Sequence, residues 1–508
     1  MLMENNSTVM VQTTPIYGDR VAAGWLGKCL GGLIGMPYEG VPAMPFELTQ
    51  DRVVIPNVPN DDLELQLIWL AALREHGMAL NAASMGEYWR KFIPRGCDEY
   101  SIAIRNLRRG ILPPESGFHE NFFADGMGAA IRSELWAMVF AGRPELAAQF
   151  AIADASVDHW GEGVWAEILT VRLEAEAFRE PDLRLLLRRA LAPLPEISRV
   201  RQAVADALTL YESGTSEATA RKELQLRWDH PNFTDCAMNC AYIACALLYG
   251  EGDFVRTILG AVNFARDTDC TAATCGAVLG ILGGTASIPK YWRDQVQDRL
   301  ALSDFVSAVP DIPRTLSELT AETVCLHERF QAIPAMPGAG RYCPFQSVIP
   351  RTQPHRWLVL EEGICDPAEL ERELRRTGRC PEEFREHVTA TGELVFAPVP
   401  AAVDAATVHL FTFLSAATLP ETVVISATAD VGMTLYLDGV RLVNHHSRRD
   451  MLPSFHRAEG GAAFAYPLEA GRRYLVHWML YHCRSSTRAA LMLGDSNNNH
   501  LDDVTMSI

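Results

Sequence analysis

Along the first two-thirds of the chain apolar residues recur every three or four positions, and beyond about residue 340 they alternate in short runs. Leu63, Leu65, Ile68, Ala71 and Ala72 give one apolar face, and Pro59 precedes that helix where it does no harm. The same periodicity predicts helices over 18–35, 84–93, 126–141, 144–156, 163–178, 182–191, 197–213, 217–226, 235–249, 253–264 and 314–332. Pro and Gly punctuate them, as in Gly142-Arg143-Pro144, Pro193-Leu194-Pro195 and Gly250-Glu251-Gly252. The expectation is an all-α domain over residues 1–335, without a repeat at fixed period.

Composition shifts to Pro and Gly over Ala335–Gly340, which reads as a linker. Trp357–Leu360 then looks extended and Asp366–Arg376 helical. Strand-like runs follow at Thr407–Leu414, Glu421–Ala429, Thr434–Leu437, Arg441–Val443, Ala462–Pro467, Tyr474–His482 and Ala489–Leu493, with turns at Asp438-Gly439 and Glu469-Ala470-Gly471. Residues 341–508 are therefore expected to form a β-rich sandwich domain with a short helical lead-in.

Cys270–Pro289 carries no charge and is long enough for a membrane span, but Ala, Gly, Thr and Ser dominate it. A buried central helix, closely packed through its small residues and stopped at Gly283-Gly284, is the preferred reading. The 508 residues suit at least two domains, and the net charge of −18 argues against a nucleic-acid or anionic-membrane partner. The start, MLMENNSTVMVQTTP, lacks a basic region followed by an apolar stretch, so a cytoplasmic protein is expected. The twelve cysteines show no CxxC zinc spacing and no regular framework, and are expected to be reduced. His445-His446 has no metal-ligand spacing and reads as solvated surface. No Gly-x-Ser-x-Gly elbow and no His-Glu-x-x-His helix occurs.

The chemistry gathers at two acidic pairs, Asn60-Asp61-Asp62 and Arg266-Asp267-Thr268-Asp269, each where a helix should begin. Helix capping explains a carboxylate there, since it meets unpaired N–H groups and the positive end of the dipole. One side chain is enough for a cap, however, and four converging carboxylates repel unless a cation sits among them. A divalent-metal site is the sharper hypothesis. The glycines of Gly27–Gly35 read as close helix packing rather than a phosphate cradle, because no strand precedes them.

Read together, three stretches resemble the ADP-ribosylglycohydrolase family. Gly27-Lys28-Cys29-Leu30-Gly31-Gly32-Leu33-Ile34-Gly35-Met36-Pro37-Tyr38-Glu39 is similar to its glycine-rich amino-terminal helix, Asn60-Asp61-Asp62-Leu63 to its Thr-Asp-Asp-Thr element, and Asp267-Thr268-Asp269-Cys270 to its late Asp-Thr-Asp-Thr element. Gly126–Arg132 and Asp158-His159-Trp160-Gly161 resemble two weaker elements between them. The resemblance spans roughly residues 18–290. It implies an all-α domain that cleaves a ribosyl bond with one or two magnesium or manganese ions. Asn60, Asp61, Asp62, Asp267, Asp269 and Cys270 would be metal ligands, with Glu39, Asp61 and Asp62 catalytic. Asp125, Gly126, Met127, Gly128, His159, Trp160 and Gly161 would bind substrate.

The expected substrate is an ADP-ribosylated protein or ribosylated small molecule; the alternatives are a nucleoside or other N-glycoside, or a non-catalytic binding or scaffold role. Asn60, Cys270, Leu63 and Gly32 depart from the family pattern, and a thiol is a poor ligand for magnesium. These departures imply a divergent member. In the second domain, Gly432–Asn444 and Leu468–Tyr474 resemble the core of PA14-like sandwiches, implying a carbohydrate ligand or an assembly role. Oligomeric state is not legible.

Overall fold

The computed structural model describes residues 16–306, 308–334, 340–342, 355–361, 366–377, 381–389, 392–396, 407–446, 451–458, 460–481, 483, 486–501 and 503–508. The amino-terminal stretch and most of the Pro/Gly-rich junction lie outside the described residues. Helices fill the chain from Tyr17–Gly35 to Leu316–Phe330. Within these the Tyr17–Gly35 and Thr268–Gly283 helices pack backbone to backbone. A Cβ on Gly27 would sit 2.0 Å from the Gly276 carbonyl oxygen, and one on Gly31 2.1 Å from that of Ala272. The small residues of both helices are thus a packing device, as in the sequence reading. Gly284, at φ 68°, ends the second of them, and among the described residues no helix is long and apolar enough to cross a membrane.

Two helical readings need correction. Residues 126–141 do not form one helix: Gly126 bridges to Asp235, a short turn of helix covers Ala130–Arg132, and an α-helix runs only from Glu134 to Val139. Gly126 and Gly128 weaken helix propensity at its start, and tertiary pairing decides the rest. Conversely, Asp98–Arg108 is helical although its large apolar residues Tyr100, Ile102 and Ile104 alternate with the small Ser101 and Ala103 at a strand-like spacing.

The second region contains β1 (His355–Leu360), β2 (Arg385–Thr389), β3 (Glu393–Phe396), β4 (Val408–Ala416), β5 (Val423–Ala429), β6 (Met433–Leu437), β7 (Val440–His445), β8 (Gly461–Ala465), β9 (Tyr474–Leu480), β10 (Thr487–Asp495) and β11 (Val504–Ser507). The larger sheet runs β2-β1-β4-β9-β6-β7, with β11 also on β4, and the smaller runs β3-β10-β5-β8. All the pairings are antiparallel. Trp357, Val476 and Trp478 of one sheet share a core with Ile425, Leu394 and Leu491 of the other, which makes the region a sandwich. Leu370 and Leu374 of the Pro367–Thr377 helix cover Phe411 and Phe413 on the outer face. At the β6–β7 hairpin Asp438 and Gly439 both take positive φ, the turn chemistry read from the sequence.

Candidate metal centre

Three chain segments meet at one cleft. The Tyr17–Gly35 helix leads through Met36–Tyr38 to Glu39; the Asp61–His76 helix begins with Asp61 and Asp62; the Thr268–Gly283 helix follows Asp267. Backbone contacts fix their registry. The Thr268 hydroxyl donates to the Gly35 carbonyl at 2.8 Å, and the loop after Glu39 exchanges two backbone hydrogen bonds with Arg266, Gly40 N to Arg266 O at 2.8 Å and Arg266 N to Val41 O at 3.0 Å. Ala265 and Arg266 are both left-handed, with φ of 65° and 69°. Such strain in two consecutive non-glycine residues costs on the order of 1–3 kcal/mol each, and it aims Asp267 into the cleft.

Neither Asn60 nor Asp267 uses its side chain as a cap, so capping does not account for the acidic pairs. Glu39, Asp61, Asp62, Asp267, Asp269 and Cys270 line a cleft of about 100 Å³. Ligand-capable atoms of Asp62, Asp269 and Cys270 lie within 4.8 Å of one another, as do those of Glu39, Asp267 and Asp269. Asp269 belongs to both groups. The Cys270 thiol faces inward and donates to Asp62 Oδ1 at 3.7 Å. Both oxygens of buried Asp267 and one of Asp269 have no hydrogen-bond partner among the described residues.

Burial and mutual repulsion dominate the electrostatics. Asp61 keeps an exposed face, yet the protein packed around its carboxyl, then the neighbouring Asp62, pushes it up to about 6. Asp62 also rises to about 6, with burial first and Glu134 and Glu39 adding to it against Lys28. Asp267 and Asp269 are held well above the ordinary carboxylate range by burial together with Glu39 and Asp62. Burial raises Glu39 as well, with Asp61 adding and Arg457 opposing. A set of carboxylates that all bind a proton more readily than free carboxyls do is one that a bound cation would relieve.

The other predicted residues divide between the cleft and its surroundings. The Asn60 side chain turns from the cleft toward Gly32 and borders a separate small pocket with Cys29 and Leu63. Met127 and Gly128 line the acidic cleft, whereas Asp125 faces a second cavity and pairs with Arg199. His159 is fully buried, 2.9 Å from Asp158 and 3.7 Å from Glu99, and so stands behind the cleft wall. Trp160 packs against Phe118 and Tyr342, and the Gly161 N–H donates to the Tyr342 hydroxyl.

Several residues in and behind the cleft were not singled out from the sequence. Lys28 is 1% exposed and its ammonium lies 2.9 Å from Glu134 and 3.5 Å from Asp62. A lysine on an otherwise small and apolar helix face was a signal that a buried anion awaited it. Arg132, wholly buried between Asp154 and Asp158, donates to the Gly128 carbonyl at 2.6 Å and braces that wall. Glu99 and Tyr100, on the helix missed by periodicity, line the cleft together with His456 and Arg457 of the sandwich. Nothing local in Ser454-Phe455-His456-Arg457 marks those last two.

Residues 13–323 match the ADP-ribosylglycohydrolase family. An uncharacterized protein from Archaeoglobus fulgidus is 23% identical over 314 residues, covering 58% of this chain and 97% of its own length. Among solved structures, an ADP-ribosylglycohydrolase-related protein complex is similar at 19% identity, with 61% of this chain and 98% of that chain covered and a TM-score of 0.42. With the family match spanning more than half of its length, the chain belongs to the ADP-ribosylglycohydrolase family.

Proposed function

We propose that this protein is a metal-dependent hydrolase of a ribosyl glycosidic bond, acting on an ADP-ribosyl group attached to a protein or small molecule. The observation that carries this reading is the meeting of seven carboxylates in one cleft, with three buried oxygens of Asp267 and Asp269 unpartnered among the described residues. The donor set is rich in hard oxygen atoms, which suits magnesium or manganese. Asp61, Asp62, Asp267 and Asp269 would hold the cation, and Cys270 borders it. When bound, the cation would supply fixed positive charge against sugar hydroxyls and developing negative charge.

The chain's own groups divide the remaining work. Glu39 lies at the open side of the cleft with a carboxyl poised above its ordinary range, and it exchanges a proton with the attacking water or leaving group. Lys28 holds Asp62 and Glu134 in place from behind. Met127 and Gly128, braced by Arg132, form the wall against which the sugar rests.

A second reading, hydrolysis of a nucleoside or other N-glycoside, draws support from the size of the cleft. About 100 Å³ is well below the roughly 300–1,000 Å³ of drug-sized sites. One experiment separates the two. Metal-loaded protein is offered ADP-ribosylated arginine and serine peptides, ADP-ribose derivatives and free nucleosides, with sugar release followed by mass spectrometry. Release from ADP-ribosyl compounds is expected, with Glu39→Gln slower by about 10²–10⁴ while folded and metal-loaded. Turnover of nucleosides alone moves the substrate to the second reading, and no turnover of any ribosyl compound refutes hydrolysis.

A further inference from the structure

The sandwich reaches the cleft through residues 451–457. Met451, Leu452 and Pro453 line a cavity of about 490 Å³ whose other walls include Phe123 and Asn232 of the helical region and Asp430 and Arg488 of the sandwich. A few residues on, His456 and Arg457 line the acidic cleft instead. The segment therefore passes from one space to the other.

Arg457 stands between them. Its guanidinium forms an ion pair with Asp98, a cleft residue, and donates to Asn232 Oδ1, on the cavity side, at 3.0 Å. It lies 4.5 Å from the ring centre of Phe233, which lines the cleft, and 5.5 Å from that of Phe123, which lines the cavity. Two aromatic faces and two hydrogen-bonding partners hold a planar cation in one orientation. Asp98 is itself in a left-handed conformation, φ 44°, and also accepts from the Ser454 hydroxyl at 3.0 Å. The sandwich thus secures both the partition and the start of the helix that carries Glu99 and Tyr100.

We propose that Arg457 is a specificity-determining residue contributed by the sandwich, its side chain forming the wall that confines the carboxylate cleft to a group about the size of a sugar ring and separates it from the interdomain cavity. This rests on the cleft being the ribosyl-binding site of the proposed hydrolase. The size of the group attached to the ribose then governs turnover, and the helical region without the sandwich has an unwalled site.

Two readouts test the wall, one of which needs no turnover. Cys97 lines the cleft, so full-length wild type and Arg457→Ala are labelled at pH 8.5 with a small and a bulky maleimide and mapped by peptide mass spectrometry. The bulky-to-small rate ratio at Cys97 should rise at least about tenfold in the variant, with exposed Cys325 unchanged as the reference. General loosening of the loop would speed both reagents alike, and an unchanged ratio overturns the proposal. Should Arg457→Ala unfold, as labelling of buried Cys245 and Cys275 would reveal, Arg457→Gln carries the same test. For the hydrolysis, kcat/KM for an ADP-ribosylated peptide relative to ADP-ribosylarginine should also rise about tenfold, mainly through KM, and Arg457→Lys should restore most of the discrimination. A ratio indifferent to residue 457 refutes the specificity role. Absence of turnover in wild type refutes the hydrolase reading, while the labelling ratio still decides whether the wall exists.

Discussion

Asp269 is the carboxylate shared by both potential ligand groups, so its replacement by Asn is the most informative perturbation of the cleft. Its neighbours Glu39, Asp267 and Asp62 offer oxygens within 4.8 Å. At that separation two full charges repel by roughly 3–4 kcal/mol at an effective dielectric near 20. Protonation already relieves part of this, since both Asp267 and Asp269 bind protons far more readily than free carboxyls. Removing the charge should therefore leave metal-free protein at least as stable as wild type. Metal-loaded protein should respond in the opposite sense. A cation at a hundredfold excess over its dissociation constant stabilises the folded state by about 2.7 kcal/mol, on the order of 5 °C in melting temperature, and Asp269→Asn should lose most of that gain. The assay is thermal unfolding of both proteins, stripped with chelator and then titrated with magnesium or manganese. A wild type indifferent to both metals, or a variant that responds as strongly as wild type, would refute the reasoning.

Three further outcomes are expected. Cys270→Thr exchanges a soft donor beside Asp62 for a hard one, so calorimetric titration should find magnesium bound more tightly relative to manganese and zinc. Gly31→Ala forces a Cβ within 2.1 Å of the Ala272 carbonyl and should destabilise the helical region by roughly 1–3 kcal/mol in denaturant melts, because the helices must move apart. In the sandwich, burial, with the neighbouring His409 adding, pushes His477 down to about 4. The unfolded chain then binds more protons between about pH 4 and 6.5, and the sandwich should lose on the order of 2–3 kcal/mol across that window on acidification; His477→Gln should flatten the dependence.

What the sequence made legible follows the range of each interaction. Helices with a strong apolar period, the Asp438-Gly439 hairpin and the small-residue helix pair are local patterns, and they emerge with their ends shifted by a few residues. The acidic pairs were legible because each doubles a carboxylate where one suffices. Asp98–Arg108 was not, since its apolar residues imitate alternation while its burial is decided by distant neighbours. β2, β3 and β11 are only four or five residues long, too short for a pattern to stand out, and their pairing partners are set by the tertiary fold. Lys28 was not singled out although it stands on a small, apolar helix face, and nothing in the sequence names its partner Glu134. Arg457 illustrates the limit: Asp98 and Asn232 are hundreds of residues away, so no local pattern distinguishes it from any surface arginine.

Two of the departures from the family pattern turn out to be one structural change. A Cβ on Gly32 would fall 2.1 Å from the Asn60 amide nitrogen, so an asparagine at 60 in this orientation requires glycine at 32. Both Asn60 side-chain polar atoms lie buried with no hydrogen-bond partner among the described residues, an arrangement that costs about 1–3 kcal/mol unless something else engages them. The amide occupies the space that a side chain at position 32 would otherwise fill. Asp61 and Asp62 keep their cleft-facing positions because the helix register that follows is fixed by the buried Leu65, Ile68 and Trp69 rather than by residue 60. Divergence at Asn60 and Gly32 therefore remodels the back of the site while the carboxylates at its front stay converged, and Cys270 stands as the one departure that faces the cleft directly.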